Sequence, residues 1–164
     1  MSNSAQSDGD QQTHASPPTT YNQAMEQKQF FMPLKQLPTP PELKDVPGAQ
    51  TWVMEGSQHG VLATSILIAQ VEPGGGPPLH LHYTEEIQFV SDGHEVDFLI
   101  GDKRFTVSEP GVVHIPANTP HAFVNRGTQS MQVVTFFPSA VYDLNWKVVG
   151  PNPLLDNSEH NTSA

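Results

Sequence analysis

Short stretches in which apolar and polar residues alternate, or in which β-branched residues dominate, recur along the middle of the chain. Alternation with a period of two is typical of a β-strand with one buried face. The segments that show these patterns are TWVME (51–55), GVLATSILIAQVE (60–72), EIQFV (86–90), HEVDFLI (94–100), RFTV (104–107), GVVHI (111–115), HAFVN (121–125) and SMQVVTFF (130–137). Turn-forming residues separate them, as in SDG (91–93), GDK (101–103) and PANTP (116–120). This succession of short strands predicts an all-β sandwich or barrel.

The two ends of the chain differ from this middle part. Residues 1–32 are rich in Ser, Gln, Asp, Thr and Pro, and residues 151–164 have a similar composition after Leu155. Such segments bury too little apolar surface to offset the entropy that ordering them would cost. We therefore predict disordered tails at 1–32 and 151–164 around one folded domain at 33–150. Within that domain, helical periodicity is weak, and SAVYDLNW (139–146) is the candidate for a short helix.

Composition and charge exclude several classes of function. The chain has 7 Lys and Arg against 17 Asp and Glu, a net charge of −10 at pH 7. Because it has no basic cluster, we expect neither nucleic acid nor an anionic membrane as a partner. It contains no cysteine, which excludes disulfides, thiolate nucleophiles and cysteine-ligated zinc. No secretory leader and no run of membrane-spanning length is visible, so we expect a cytoplasmic protein.

The segment GGGPPLHLHYTEE (74–86) concentrates residues that bind metal ions. Residues two apart in a strand point to the same side, so His80 and His82 share a face, and Glu86 has the same parity. Two imidazoles and a carboxylate on one face suit a divalent ion, whose donors must converge about 2 Å from one point. A fourth donor must come from another strand, and both His121 and His114 are candidates. The same segment also fits a polar loop that is merely rich in histidine, and the pattern alone leaves both interpretations open.

Two sequence motifs resemble those of the cupin family. Gly74, five residues, His80-x-His82, three residues, Glu86, six residues and Gly93 reproduce the spacing of the first cupin motif throughout. The glycines and prolines before the histidines are typical of a turn that leads into a strand. This first match joins both histidines and the glutamate in one motif.

The stretch PGVVHIPANTPHAFVN (110–125) resembles the second cupin motif. The proline, histidine and final asparagine of that motif fall on Pro116, His121 and Asn125. Two positions depart from it, because Asn118 stands where glycine is usual and Pro-Gly at 110–111 replaces the usual Gly-Asp. Asparagine also enters the left-handed conformation that such a turn requires, and the change at 110–111 affects only a turn. The resemblance covers about residues 60–138.

The resemblance implies a cupin-type jelly-roll β-barrel with a metal site inside its mouth. In many cupins the matching residues bind one Fe, Mn, Ni, Co, Cu or Zn ion. The ligands implied for this chain are His80, His82, Glu86 and His121. The resemblance thus prefers His121 to His114 as a ligand and leaves His114 as a residue that lines the cavity. Together with positions that share the parity of the ligands, this gives the expected substrate-binding residues Gln88, His114, Phe123 and Asn125.

The resemblance also implies an enzyme. Many single-domain cupins with these ligands resemble dioxygenases that cleave flavonols, diketones or aromatic acids, so a metal-dependent dioxygenase is the first hypothesis, with Glu86 as ligand and catalytic base. The alternatives are a metal-assisted isomerase or lyase acting on a sugar or hydroxy acid, and a non-catalytic small-molecule-binding cupin. The expected partners are a small-molecule substrate, dioxygen and, through the proline-rich segment 33–50, a second copy of the chain in a homodimer.

Overall fold

The computed structural model describes residues 31–61, 63–91, 95–142 and 146–155. Most of the predicted N-terminal tail, residues 1–30, and residues 156–164 lie outside these ranges, as do Leu62, residues 92–94 and residues 143–145. The last glycine of the first motif, Gly93, and the tip of the SDG turn are therefore not described. Within the described ranges, no helix has the length and apolar character that crossing a bilayer requires.

The described residues form two antiparallel β-sheets of five strands each. The strands are β1 (Ala49–Met54), β2 (Ser65–Val71), β3 (Leu79–Leu81), β4 (Glu86–Val90), β5 (Val96–Ile100), β6 (Lys103–Val107), β7 (Gly111–Ile115), β8 (His121–Asn125), β9 (Met131–Phe137) and β10 (Lys147–Gly150). Sheet A has the order β1-β2-β9-β4-β7, and sheet B has the order β10-β3-β8-β5-β6. The helical segments in the described ranges are three short 3-10 helices, Leu34–Gln36, Pro41–Leu43 and Gly56–His59. The prediction of an all-β fold is confirmed.

The core lies between the two sheets because each strand turns one face inward. In β4 and β9, every second residue is buried and most of the residues between them are exposed, as the alternating sequence predicts. One apolar cluster joins the sheets, with Val90 and Val133 from sheet A packed with Phe98 and Phe123 from sheet B. Burial of a side chain of this size contributes about 1.5–3 kcal/mol. This cluster fills one part of the interior and leaves the other part to polar residues.

The structure adds two strands to the sequence prediction and removes a helix from it. The short strands β3 and β10 pair with each other at the edge of sheet B. With three and four residues, they are too short to establish a period. The short helix predicted at 139–146 is wrong for residues 139–142, where the chain bends without forming a helical turn. Residues 143–145 of that segment lie outside the described ranges.

Residues 151–155, predicted to begin the C-terminal tail, pack against sheet B. The Asn152 side chain donates hydrogen bonds to the carbonyl oxygens of Pro77 at 2.8 Å and Phe123 at 3.0 Å. Leu154 is buried against Leu99 and Val124 on the outer side of this sheet. These contacts extend the packed structure to the end of the described residues.

Gly76 lies where the segment that enters β3 passes against β8. A Cβ atom at this position would stand 2.0 Å from the carbonyl oxygen of Phe123 and 3.3 Å from Nδ2 of Asn152. A separation of 2.0 Å is far inside van der Waals contact, so only glycine allows this approach of the two backbones. The approach matters for the site because β3 and β8 carry two of the histidines described below.

Replacing Gly76 by alanine should destabilise the fold by about 1–3 kcal/mol or more, the usual cost of forcing atoms into a packed interior. The matched control is Gly150→Ala, because a Cβ there meets no atom within 4 Å. Urea unfolding followed by circular dichroism measures both variants. Equal unfolding midpoints for the two would contradict the close packing of Gly76 against β8.

Candidate metal centre

Strands β3 and β8 are neighbours in sheet B, and their register places His80 opposite His121. His82 directly follows β3, and its carbonyl oxygen accepts a hydrogen bond from the backbone N–H of Asn118 at 2.7 Å. Asn118 has a φ of 59°, the left-handed conformation that the sequence predicted for this turn. The turn before β8 therefore fixes the end of β3 and brings the three histidines to the same end of sheet B.

Glu86 reaches these histidines from the other sheet, as the first residue of β4. Its Oε1 atom is 2.9 Å from Nε2 of His121, and its Oε2 atom is 3.6 Å from Nε2 of His82. All four side chains are buried. The chain crosses from sheet B to sheet A between Leu81 and Glu86, and this crossing brings the carboxylate to the imidazoles.

Backbone carbonyl oxygens determine which ring nitrogen carries the proton in the neutral form of two of the imidazoles. Nδ1 of His80 lies 2.8 Å from the carbonyl oxygen of Pro78, and Nδ1 of His121 lies 2.8 Å from that of Thr119. A carbonyl oxygen only accepts hydrogen bonds, so each Nδ1 must carry the proton and donate it. In the neutral ring Nε2 then holds the lone pair, which is the form that binds a metal.

The cluster could hold a metal ion. His80, His82 and His121 each offer one ligand atom, and these atoms lie within 4.8 Å of one another. Two ligands of one ion with bonds of about 2.1 Å stand at most about 4.2 Å apart, so small side-chain movements would suffice. Nε2 of His121 has no hydrogen-bond partner, since its 2.9 Å approach to Glu86 lacks hydrogen-bond geometry. A buried ring nitrogen without a hydrogen-bond partner and a nearby carboxylate oxygen are both donors that a cation would satisfy, so the residues present fit a metal.

The buried environment favours the neutral form of His80. Burial lowers the pKa of His80 well below its ordinary value of 6.5, and the neighbouring His121 and His82 lower it further. The hydrogen bond to Pro78 acts in the opposite direction without reversing the shift. His80 is thus deprotonated and able to coordinate near neutral pH.

A cavity that is partly open to solvent lies between the sheets beside this cluster. Its walls are mainly apolar and include Leu67, Val133 and Phe137. The polar residues that line it are Thr51, His80, His82, Glu86, Gln88 and Thr135. A mainly apolar cavity with a few polar groups in its walls is the usual form of a small-molecule site.

The structure brings two of the four expected substrate-binding residues to the cavity. Gln88 lines it and donates a hydrogen bond from Nε2 to Oε1 of Glu86 at 2.9 Å, and Phe123 lines it as well. Asn125 is buried elsewhere, where Nδ2 donates to the carbonyl oxygens of Val71 and Gln129 and Oδ1 accepts from the N–H of Gly127.

His114 lies outside the cavity. Its side chain is exposed on the outer face of β7, and Nε2 is 3.0 Å from Oε2 of Glu85, which is also exposed. The neighbours Val113 and Ile115 point inward in its place. The expectation that His114 lines the cavity is therefore wrong in the described structure, because the pleat of β7 turns its side chain to the outer face.

Sequence reasoning missed three residues of the cavity. Trp146 stacks on the ring of His80, with 3.9 Å between ring centroids and 22° between planes. Its position depends on the pairing of β10 with β3, which no pattern in the sequence predicts. Thr51 and Thr135 could have been found, since each is a polar residue at an inward-facing position of a predicted strand.

Comparison with known proteins agrees with this architecture. Residues 67–137 match the family model described as cupin domain. Acireductone dioxygenase from Leptospira biflexa is 31% identical over 90 residues, which are 49% of this chain and 51% of the relative. Auxin-binding protein 1 from Arabidopsis thaliana is 28% identical over 97 residues, which are 54% of this chain and 49% of the relative. The chain thus matches about half the length of these curated relatives.

Solved structures show the same fold. The polyketide cyclase RemF from Streptomyces resistomycificus superposes with a TM-score of 0.55 at 20% identity, covering 75% of this chain and 87% of that one. Oxalate decarboxylase from Lactobacillus farciminis gives a TM-score of 0.55 at 21% identity over 60% of this chain and 31% of its own. With the two antiparallel sheets and the matched motifs, these findings show that this chain carries a cupin domain, which the family model matches at residues 67–137.

Proposed function

We propose that this chain is a mononuclear metal-dependent dioxygenase that acts on a small enolisable or aromatic substrate such as a flavonol or a diketone. The observation that carries the proposal is the convergence of three buried imidazoles and one carboxylate at the polar end of an apolar cavity. The similarity to acireductone dioxygenase supports the same reaction class. The expected partners are accordingly a small-molecule substrate and dioxygen.

We propose His80, His82, Glu86 and His121 as the residues that hold the ion. Three imidazole nitrogens and one carboxylate oxygen suit Fe, Mn, Ni, Co, Cu or Zn and do not select among them. When bound, the ion would supply Lewis-acid activation of the substrate and a site for oxygen chemistry. The stacking of Trp146 on His80 and the carbonyl partners of His80 and His121 would keep the rings in position.

Glu86 would serve as the catalytic base in addition to holding the ion. Its Oε1 atom accepts a hydrogen bond from Gln88 and faces His121, so this oxygen is fixed in place. The Oε2 atom lies 3.6 Å from Nε2 of His82 and is the oxygen better placed to accept a proton from an acidic substrate hydroxyl or C–H. Apolar walls such as Leu67 and Phe137 would limit the access of water to that proton transfer.

A small-molecule-binding cupin without catalysis is the second candidate. The similarity to auxin-binding protein 1, whose name describes binding, favours it. The same cavity and cluster would then hold a ligand without turnover. A metal-assisted isomerase or lyase is the remaining alternative, and oxygen dependence separates it from the dioxygenase.

Two expectations about the setting of the protein stay predictions. They are a homodimer through the proline-rich segment 33–50 and a cytoplasmic location. Light scattering and cell fractionation would measure them. Neither expectation carries the proposed chemistry.

Replacing a ligand should weaken metal binding, and the chain offers matched controls for both residue types. His121→Ala and Glu86→Gln should each weaken the binding of Mn²⁺ or Ni²⁺. The loss should exceed the roughly 10–100-fold that is typical when a residue hydrogen-bonded to a metal ligand is replaced. His114→Ala and Glu85→Gln should bind as the natural chain does, because their side chains are exposed on the outer face. Metal analysis after dialysis and calorimetric titration measure the effect. Equal losses in the controls would refute the assignment.

The stability of the metal-free protein should fall as the pH drops below 6.5, the ordinary pKa of histidine. The folded state keeps His80 neutral there because burial lowers its pKa, whereas the unfolded state takes up a proton. The free energy of unfolding then falls by up to about 1.4 kcal/mol per pH unit, because only the unfolded state binds this proton. Urea unfolding with a chelator at several pH values should show a weaker dependence for His80→Asn. An unchanged dependence would assign the effect to other groups.

The metal-loaded chain should consume oxygen with at least one member of a flavonol and diketone panel. An oxygen electrode measures the uptake, which a chelator should abolish and Glu85→Gln should leave intact. Turnover that persists without oxygen would contradict the dioxygenase and support an isomerase or lyase. If no metal and substrate combination gives oxygen uptake or turnover, and a ligand raises the melting temperature, the result would support a non-catalytic small-molecule-binding cupin.

A further inference from the structure

We propose that the cavity binds a neutral, elongated and mostly apolar molecule with a hydrogen-bond donor, such as a hydroxyl group, at each end, and that it rejects carboxylate anions. The inference deepens the proposed function and rests on it for the role of the cavity as a substrate site. It is carried by three observations: the charge of the cavity lining, two buried polar atoms without partners, and the distance between them.

The charge of the cavity lining disfavours an anion. None of the described residues that line it is Lys or Arg, and the single acidic residue among them is Glu86. In the sequence, positions 62, 92–94 and 143–145 include no Lys or Arg. A carboxylate that entered the cavity away from the histidines would therefore lose its hydration without gaining a positive partner.

Gln88 presents a hydrogen-bond acceptor to the cavity. Its Nε2 atom donates to Glu86, and this fixes the amide so that Oε1 is the other available atom. This Oε1 atom is buried and has no hydrogen-bond partner. An amide oxygen only accepts, so the group that satisfies it must be a donor such as a hydroxyl or an N–H.

Thr51 presents a second polar atom at the opposite side of the cavity. Its Oγ1 atom is buried without a partner, and the side chain points inward from β1. A buried hydroxyl without a hydrogen bond costs about 1–3 kcal/mol, so a ligand that contacts it gains from relieving that cost. A ligand hydroxyl can either donate to this atom or accept from it.

The floor between the two polar positions is apolar except for Thr135 of β9, the residue paired with Gln88. Thr51 pairs with Ala69 of β2, and Ala69 pairs with Val133 of β9, while Gln88 lies on β4 beyond it. Two strands therefore stand between the polar positions, and their backbones are roughly 14 Å apart along the sheet. Small side chains such as Ala69 leave room over this floor. The molecule that satisfies both ends thus has an apolar middle, unlike a sugar, and no carboxylate, unlike a hydroxy acid.

Four probes of one shape test the chemistry of the cavity: 2,6-dihydroxynaphthalene, 2-naphthol, naphthalene and 2-naphthoate. Calorimetry with the full chain in a chelator should rank affinity in that order, with the dihydroxy compound binding at least about tenfold more tightly than naphthalene. The measurement is then repeated with added Mn²⁺. If 2-naphthoate binds the chelated protein as tightly as 2-naphthol, or if no probe binds, the inference is wrong.

Thr51→Val gives a signature that a structural role would not produce. It removes an unpartnered hydroxyl while keeping the shape, so the ligand-free protein should melt at the same or a higher temperature. Binding of 2,6-dihydroxynaphthalene should nevertheless weaken by about 2–10-fold, and Thr51→Ser should restore it. A lower melting temperature together with unchanged binding would overturn the role of Thr51.

Gln88→Met tests the other end against a matched control. Gln132 lies exposed on the outer face of β9, so Gln132→Met should leave the affinity for 2,6-dihydroxynaphthalene unchanged while Gln88→Met lowers it. Equal affinities in the two variants would overturn the role of Gln88. These binding measurements need neither metal nor turnover. They can therefore be interpreted even if the dioxygenase assay fails, and the dioxygenase assay can be interpreted even if no probe binds.

Discussion

The site depends on one topological constraint, the crossing of the chain from sheet B to sheet A between Leu81 and Glu86. On one side of the crossing, β3 is paired with β8, so His80 faces His121. On the other side, Glu86 opens β4 and places its carboxylate 2.9 Å from His121. Four residues span the crossing, and the hydrogen bond from Asn118 to His82 holds its start. A change in the register of either strand would separate the donors.

The same arrangement leaves a buried nitrogen without a partner, which a bound ion would satisfy. Nε2 of His121 lies 2.9 Å from Oε1 of Glu86 and has no hydrogen-bond partner, although both side chains are buried. The protein holds this geometry with contacts that are themselves favourable, namely the carbonyl partners of the histidine Nδ1 atoms and the hydrogen bond from Gln88. The unpartnered nitrogen lowers the stability of the fold, and in return the ligand side chains are already in position before an ion binds.

Much of the fold and part of the site follow from period-two patterns in the sequence. Parity groups His80 with His82, whereas Glu86 joins them because the chain crosses to the other sheet before β4. The choice between His121 and His114 needed the motif, although the apolar neighbours Val113 and Ile115 already indicate that His114 points outward. Trp146 was out of reach, since its place depends on a four-residue strand whose pairing partner is more than sixty residues earlier. Asn125 has the right parity, but the end of its strand offers backbone carbonyls that its side chain binds instead.

The central claim is that three imidazoles and one carboxylate converge on a single ion. X-ray absorption at the metal edge of the Ni²⁺- or Mn²⁺-loaded chain tests it most directly, because ring scattering counts histidine ligands and their distance. The account predicts the scattering of three imidazoles at about 2.1 Å and of two in His121→Ala. A spectrum with oxygen ligands alone, or one that His121→Ala leaves unchanged, would contradict it.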